Sequence, residues 1–343
     1  MNTPSEMQKN IVVGSTEVKP GTRIYVDIPV ADLYTHTELK MPVQVINGKR
    51  SGPTLFVSAA IHGDEINGVE IIRRLLAQKS LQQLRGCLIA VPVVNVHGFL
   101  TQSRYLPDRR DLNRSFPGSP KGSVASRLAH TFAEQIIAVA DYGIDIHTGA
   151  MHRSNLPQIR ANLNDKRTRE LAQVFNVPVL INARVRDGSL RGYASEKGIP
   201  TLLYEAGEAL RFNEVDIKAG LRGVTNVMRK LGMLPAKPST NTIEPLTATS
   251  TFWVRASGSG IVRSKIKLGQ RVKVGQLLFT ISDPFGENEF SATAPFGGII
   301  IGQSNLPLAH EGDALVHIAR FDSASQAEDV VEEFRSEFDP PCI

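Results

Sequence analysis

The chain has 343 residues, 41% of them hydrophobic and 21% charged, and a formal net charge of +5 at pH 7. This composition suits a soluble globular protein with a sizeable core, and the length favours two domains over one. The two cysteines exclude a disulfide framework. No apolar run approaches the ~20 residues of a membrane span, and the start, MNTPSEMQKN, lacks a secretory pattern. A cytoplasmic protein without membrane partners is therefore expected.

The net charge is too mild to argue for nucleic acid. Its placement says more: residues 101–191 hold 14 Lys/Arg against 8 Asp/Glu, whereas residues 321–343 hold seven acids and one arginine. A basic middle suggests a small anionic substrate drawn to a site there. Solvated arginines scattered over a surface give the same balance.

In chain order, residues 1–45 read as β structure, with runs at Arg23 to Ile28 and Val43 to Ile46 broken by Gly21 and Pro29. Thr54 to Ala60 is a short apolar run that reads as a buried strand. It empties into Ile61-His62-Gly63-Asp64-Glu65, after which Ile66, Val69, Ile72 and Leu76 recur at helical spacing. A strand, a polar turn and a helix in succession point to a parallel α/β sheet, where chemistry gathers at the strand ends. His62 and Glu65 stand close enough to reach one divalent ion. An N-cap cluster at the start of the helix explains the same residues equally well.

Cys87 to Asn95 reads as another buried strand, followed by a polar loop from His97 to about Pro120 with four arginines. Long loops without structure of their own are often functional, so this one is assigned to a binding site. Val124 to Ala140 predicts a helix with Leu128, Phe132, Ile136 and Val139 on one stripe. Tyr142 to Gly149 is a strand delivering His147, and Thr201 to Glu208 a strand running into Glu205 and Glu208. Asn213 to Leu231 reads as the last helix. Three strand ends thus supply His62/Glu65, His147 and Glu205.

Residues 234–247, LPAKPSTNTIEPLT, read as a linker. Beyond it Ala256 to Val262 and Ala294 to Ile300 open two similar halves, a repeat of roughly 38 residues that predicts a small β sandwich. The expected division is residues 1–240, residues 248–325 and an acidic tail at 326–343.

His62-Gly-Asp-Glu65, Asp111-Leu-Asn113-Arg114, Asp145-Ile-His147 and Glu205-Ala-Gly207 occur in the order and approximate spacing of the succinylglutamate desuccinylase/aspartoacylase family. The chain resembles that family over roughly residues 40–235, and its C-terminal repeat resembles the biotinyl/lipoyl-like barrel-sandwich domain of some members. The resemblance implies a zinc-carboxypeptidase-like α/β fold: a mixed sheet flanked by helices, plus a smaller all-β sandwich. It implies one zinc per chain on His62, Glu65 and His147, with a fourth position open, the pattern of a catalytic site. Glu205 becomes the general base and then the acid, with Glu208 left as a loop carboxylate. Asn113 and Arg114 hold a substrate carboxylate, and a loop arginine stabilises the oxyanion: Arg104 first, Arg110 second, with Arg109 facing solvent.

One departure bears on substrate. Aspartoacylase carries a substrate arginine ten residues before the catalytic glutamate, where this chain has Ser195; Arg191, one helical turn away, is the candidate substitute, and a surface arginine explains it equally well. The hairpin Asp283 to Phe290 lacks the lysine of a carrier domain, so a lid or an oligomer contact is expected of the C-terminal part. The expected activity is zinc-dependent hydrolysis of an N-acylated amino acid or similar small molecule by a homo-oligomer. The alternatives are a carboxypeptidase acting on short peptides and a non-catalytic binding protein.

Overall fold

A computed structural model describes residues 7–237 and 243–338. Part of the expected linker and the end of the acidic tail, with Cys342, lie outside the described residues. The central sheet is built on four neighbouring parallel strands, in the order Arg85–Val91, Arg50–Ala59, Tyr142–Gly149 and Thr201–Glu208. Helices cover both faces, so these strands are apolar on both sides rather than alternating. Phe56 points into one core with Leu128 and Phe132 of the helix Val124–Gln135. Its neighbours Leu55 and Val57 point into the other, against Ile71 and Leu75 of the helix Asn67–Leu76 and Val224 and Val227 of the helix Glu214–Lys230. Phe132 meets Phe56 and Phe116 edge-on, with centroids 6.0 and 6.1 Å away. Burial of such a ring contributes roughly 1.5–3 kcal/mol.

Antiparallel strands flank this core, which makes the sheet mixed. Glu38–Asn47 and Thr22–Asp32 close one side, and Arg153–Ala161 joins Thr201–Glu208 on the other. Pro29 does not end its strand: it lies on the outer edge, at a register shift, where its missing N–H breaks no ladder. The second buried strand stops at Val91, just before Pro92, instead of reaching Asn95. Asn95 caps a short helix, Val96–Leu100, with its Oδ1 accepting from Gly98 N–H at 2.8 Å. The long loop therefore opens on a helix, and it also holds the 3-10 turn Leu112–Arg114. The helix after His62 buries Gly68, Ile71, Ile72 and Leu75, one position off the expected stripe, and leaves Val69 and Leu76 partly buried.

The strand Arg153–Ala161 has two partners on its outer side. Its second half pairs with Val179–Asn182, which in turn pairs with Leu246–Ala248, so the end of the expected linker is built into the sheet. Its first half pairs with Gly298–Ser304, followed by Ala314–Arg320 and Ser250–Arg255. A separate four-stranded antiparallel sheet, Glu289–Thr293, Leu277–Ser282, Gly260–Ser264 and Leu308–Ala309, packs across a core that includes Leu278, Phe279, Ile300 and Ile318. The repeat is thus an antiparallel β region with one sheet continuous with the central one. The acidic tail holds a further helix, Ala324–Phe338, which buries Ala327, Val330, Val331 and Phe334 while its acids face outward. No helix among the described residues is long and apolar enough to cross a membrane.

The junction of the C-terminal strands with the central sheet turns on Gly302, paired with Asn155 on one side and His317 on the other. A Cβ there meets Asn155 Oδ1 at 2.8 Å and His317 Cβ at 3.2 Å. Gly302→Ala should cost about 1–3 kcal/mol, as overpacking of a tight site does. The urea midpoint reads this loss. The emission of Trp253, the chain's one tryptophan, should shift too, since its Cη2 lies 3.5 Å from the added carbon; an unchanged midpoint refutes the tight junction.

Candidate metal centre and active site

The chain leaves the strand Arg50–Ala59 through Ala60 in the left-handed region, φ 50°, and Asn95 N–H donates to Ala60 O at 2.9 Å. Gly63 crosses the short helix so closely that a Cβ would lie 1.9 Å from the Gly98 carbonyl carbon; only glycine fits. The turn so held closes with Glu65 N–H donating to His62 O at 3.1 Å. It does not serve as an N-cap: that position is Ile66, without any side-chain cap. Glu65 is directed instead into the protein, 2% exposed.

Its carboxylate lies between two imidazoles, with His62 Nδ1 at 2.7 Å from Oε1 and His147 Nδ1 at 2.8 Å from Oε2. Thr148 N–H donates to Oε2 at 3.1 Å. Each ring is fixed on its outer nitrogen by another carboxylate: His62 Nε2 by Asp111 at 3.1 Å, His147 Nε2 by Asp145 at 2.8 Å. Asp145 also accepts from the Ser58 hydroxyl at 2.8 Å. Carboxylates behind histidines set the tautomer that presents the opposite nitrogen to a metal. One ligand atom from each of His62, Glu65 and His147 lies within 4.8 Å of the others, so the group can hold a metal ion.

The electrostatics agree. Burial alone would lower the pKa of both histidines, but Glu65 with Asp111 raises that of His62, and Asp145 with Glu65 raises that of His147 well above the ordinary value. Burial alone would raise that of Glu65, and His62 and His147 together hold it below the carboxylate range. A cluster that binds protons on its histidines this strongly is also one that a divalent ion can occupy in their place.

Glu205 stands opposite His147 in register on the adjacent parallel strand. Asn155 Nδ2 donates to its Oε1 at 2.9 Å, and Arg160 approaches Oε2 at 3.5 Å. A cavity of about 310 Å³ opens over this group, lined by His62, Glu65, His147, Glu205, Arg104, Asn113, Arg114 and Arg191. A larger cleft of about 850 Å³ lies elsewhere, between Arg23 and Arg85, and is lined by no histidine or carboxylate. Chemistry, not size, identifies the site.

Arg104 donates to Glu65 at 3.2 Å and to Asp111 at 2.9 Å, so it touches the His62/Glu65/His147 group directly. Arg110 does not join it: the side chain is exposed and outside the cavity lining, as is that of Arg109. Asn113 Oδ1 accepts from Leu190 N–H at 2.9 Å, which leaves its Nδ2 donors for a ligand, and Arg114 donates back to Asn113 O. Arg191 is buried and gives its two terminal nitrogens to the carbonyls of Ala183 and Arg184, both at 3.1 Å. It pins a loop of the cavity wall; burial, with Arg160 and Arg186 nearby, lowers its pKa to about 10. Glu208 accepts from His152 N–H at 3.1 Å and from Asn305 at 2.8 Å; it is the last residue of the strand Thr201–Glu208 rather than a loop carboxylate.

Sequence reasoning missed Arg153, Asn155 and Arg160 in this cavity, and also Trp253 and His317 from the C-terminal strands. The basic balance of residues 101–191 was a signal for the first and third. Nothing in the local pattern marked the last two, which arrive only through sheet pairing beyond the linker.

Comparison with known proteins follows the same lines. The model of the succinylglutamate desuccinylase/aspartoacylase catalytic domain matches residues 51–231. The chain is 26% identical over 254 residues to N-alpha-acetyl-L-2,4-diaminobutyric acid deacetylase of Halomonas elongata, covering 71% of this chain and 74% of that one. It is 30% identical over 196 residues to succinylglutamate desuccinylase of Photorhabdus laumondii, covering 51% and 59%. The product-bound ectoine utilization protein EutE (DoeB) from Ruegeria pomeroyi has the same fold, with a TM-score of 0.79 at 25% identity over 87% of this chain and 95% of that one. A succinylglutamate desuccinylase/aspartoacylase from Rhodobacter sphaeroides gives 0.78 at 25% identity over 88% and 96%. The family match spans more than half of the chain and contains His62, Glu65, His147 and Glu205, and the chain belongs to the succinylglutamate desuccinylase/aspartoacylase family of deacylases.

Proposed function

We propose that this protein is a zinc-dependent amidohydrolase that removes the acyl group from an N-acylated amino acid or a similar small anionic molecule. The observation that carries the reading is the convergence of His62, Glu65 and His147 beside Glu205 in one cavity flanked by arginines. Two imidazoles and one carboxylate with no thiolate among them is the donor set of a catalytic zinc. When bound, the ion supplies Lewis acidity that acidifies water and polarises a carbonyl.

The chain's own residues do the rest. Glu205 takes the proton of the attacking water and returns it to the departing amine, with Asn155 and Arg160 fixing its orientation. Arg104, clamped beside Glu65, donates to the oxyanion that develops at the acyl carbon. Arg114 and Asn113 hold a substrate carboxylate, for which a planar guanidinium offers two parallel donors. Trp253 and His317 wall the cavity from the C-terminal region, which favours small molecules over polypeptides. In this division residues 1–240 form the hydrolase and residues 248–325 complete its cavity.

Two outcomes test the reading. Elemental analysis should find about one zinc per chain, absent in His62→Ala, and Asp145→Asn should weaken zinc binding by about 10–100-fold, as loss of a carboxylate behind a ligand does. A chain that takes up no zinc removes the basis of the proposal. Glu205→Gln should keep the metal and lower kcat on an N-acyl amino acid by about 10²–10⁴-fold. Wild-type turnover in that variant assigns the proton transfer to another group.

A further inference from the structure

The cleft of about 850 Å³ lies at the amino ends of the parallel strands, away from the metal ligands. Arg50 and Arg85, the first residues of the strands Arg50–Ala59 and Arg85–Val91, line it, whereas His62 follows the carboxyl end of the first strand. The cleft shares no lining residue with the cavity over His62, Glu65 and His147. Five cations line it, Arg23, Lys49, Arg50, Lys79 and Arg85, and no carboxylate does. Among the described residues none of the five stands in an ion pair. Arg73 and Arg74, on the helix that ends at the cleft, show the contrast: each meets Glu70 at 2.6 Å.

The fold holds these charges together although they repel. Arg50 and Arg85 are register partners on neighbouring strands, where like charges side by side are destabilising. The main chain beside each of them cannot give way. A Cβ on Gly86 would lie 2.1 Å from Pro53 O, and one on Gly48 2.2 Å from Leu84 O. Arg23 is fixed as well: Nε donates to Gln44 Oε1 at 2.8 Å and Nη2 to Leu76 O at 2.9 Å, which leaves Nη1 open.

Asn47 belongs to the same lining and is 1% exposed. Its Nδ2 donates to Lys9 O at 3.0 Å and Val18 O at 2.9 Å, which sets the plane of the amide. Its Oδ1 is buried without a partner among the described residues, a position that costs free energy until a donor reaches it. No aromatic side chain lines the cleft, so a nucleobase finds nothing to stack on. The space is that of a small-molecule site.

We propose that this cleft is a second ligand site, for a compact non-aromatic polyanion: a sugar or polyol phosphate, or a polycarboxylate. Fixed guanidiniums and the two ammonium groups meet several negative charges at once, and a cleft lined by one sign of charge concentrates such a ligand. Asn47 Oδ1 takes a donor of the ligand or of a bridging water. This site goes beyond the hydrolase reading, since none of its residues takes part in that reaction.

Calorimetric titration of the full-length, zinc-loaded protein with fructose bisphosphate, tricarballylate and acetate tests the site. At least one of the two polyanions should bind at least about tenfold tighter than acetate, a difference of about 1.4 kcal/mol. The tighter of the two distinguishes a phosphate ester from a polycarboxylate. Added salt should weaken the binding, because the cations are exposed. Replacing both strand-start arginines, Arg50→Gln with Arg85→Gln, should weaken it at least about tenfold. Lys79→Gln, on an exposed turn, should act in the same direction, and Arg114→Gln, in the other cavity, should leave the binding unchanged. No preference for either polyanion over acetate in the wild type overturns the site. Binding that survives in the folded cleft variants overturns it too, as does binding lost in Arg114→Gln, which assigns the anion to the hydrolytic cavity. The titration needs no turnover, so it stands whether or not the hydrolase reading does.

Discussion

A carboxylate as deeply buried as Glu65 cannot remain ionised without partners, because removing a charge from water costs several kcal/mol even in a relaxed protein. The site answers that requirement from three directions. His62 and His147 take one oxygen each, Thr148 N–H shares the second, and Arg104 reaches the first. Each histidine then needs its own partner, supplied by Asp111 and Asp145, and Asp145 is steadied by Ser58. Such networks are strong when complete and costly when one member is missing. The rest of the fold can be understood as what brings these members to one point.

They come from strands far apart in sequence that are neighbours in the sheet. Ser58 and Asp145 sit on adjacent parallel strands in register, and His147 and Glu205 on the next pair. The parallel arrangement puts all their carboxyl ends on the same edge, and helices on both faces keep water from the strands below it. The turn after Ala59 must then be sharp and close to the short helix Val96–Leu100. That explains a left-handed Ala60 and a glycine at position 63, and with them the polar turn that first marks the chain.

Much of this was legible because it is local. Thr201–Glu208 and Tyr142–Gly149 lie where the sequence puts them, since each carries short apolar residues, Leu202 and Leu203 or Ile144 and Ile146, just ahead of its polar end. The grouping of His62, Glu65 and His147 was legible because His62 and Glu65 share one turn and His147 lies near the end of a strand. What escaped depends on pairing across long separations. Pro29 reads as a break because a proline stops an interior strand, and only the topology shows that this strand is an edge. The helix Ala324–Phe338 was hidden by its acids, which dominate composition while four apolar residues make the contact. Arg110 could not be separated from Arg104 by spacing alone, since the loop folds through a short helix and a 3-10 turn that place the one inward and the other outward.

The C-terminal region is where sequence and structure differ most in consequence. Read along the chain, it is a separate module after a linker. In space its strand Gly298–Ser304 pairs with Arg153–Ala161, the same strand that supplies Asn155 and Arg160 to Glu205. A displacement of that strand moves the groups that orient the proposed base, and a displacement of Ala314–Arg320 moves His317 and with it Trp253. The region is joined to the cavity wall through hydrogen-bonded neighbours. Glu208 adds a second tie, between the end of the strand bearing Glu205 and Asn305. The strand Arg153–Ala161, which supplies Asn155 and Arg160 to the proposed base, is thus also the strand on which the C-terminal sheet is built, and this ties the position of Glu205 to that of the wall bearing Trp253 and His317.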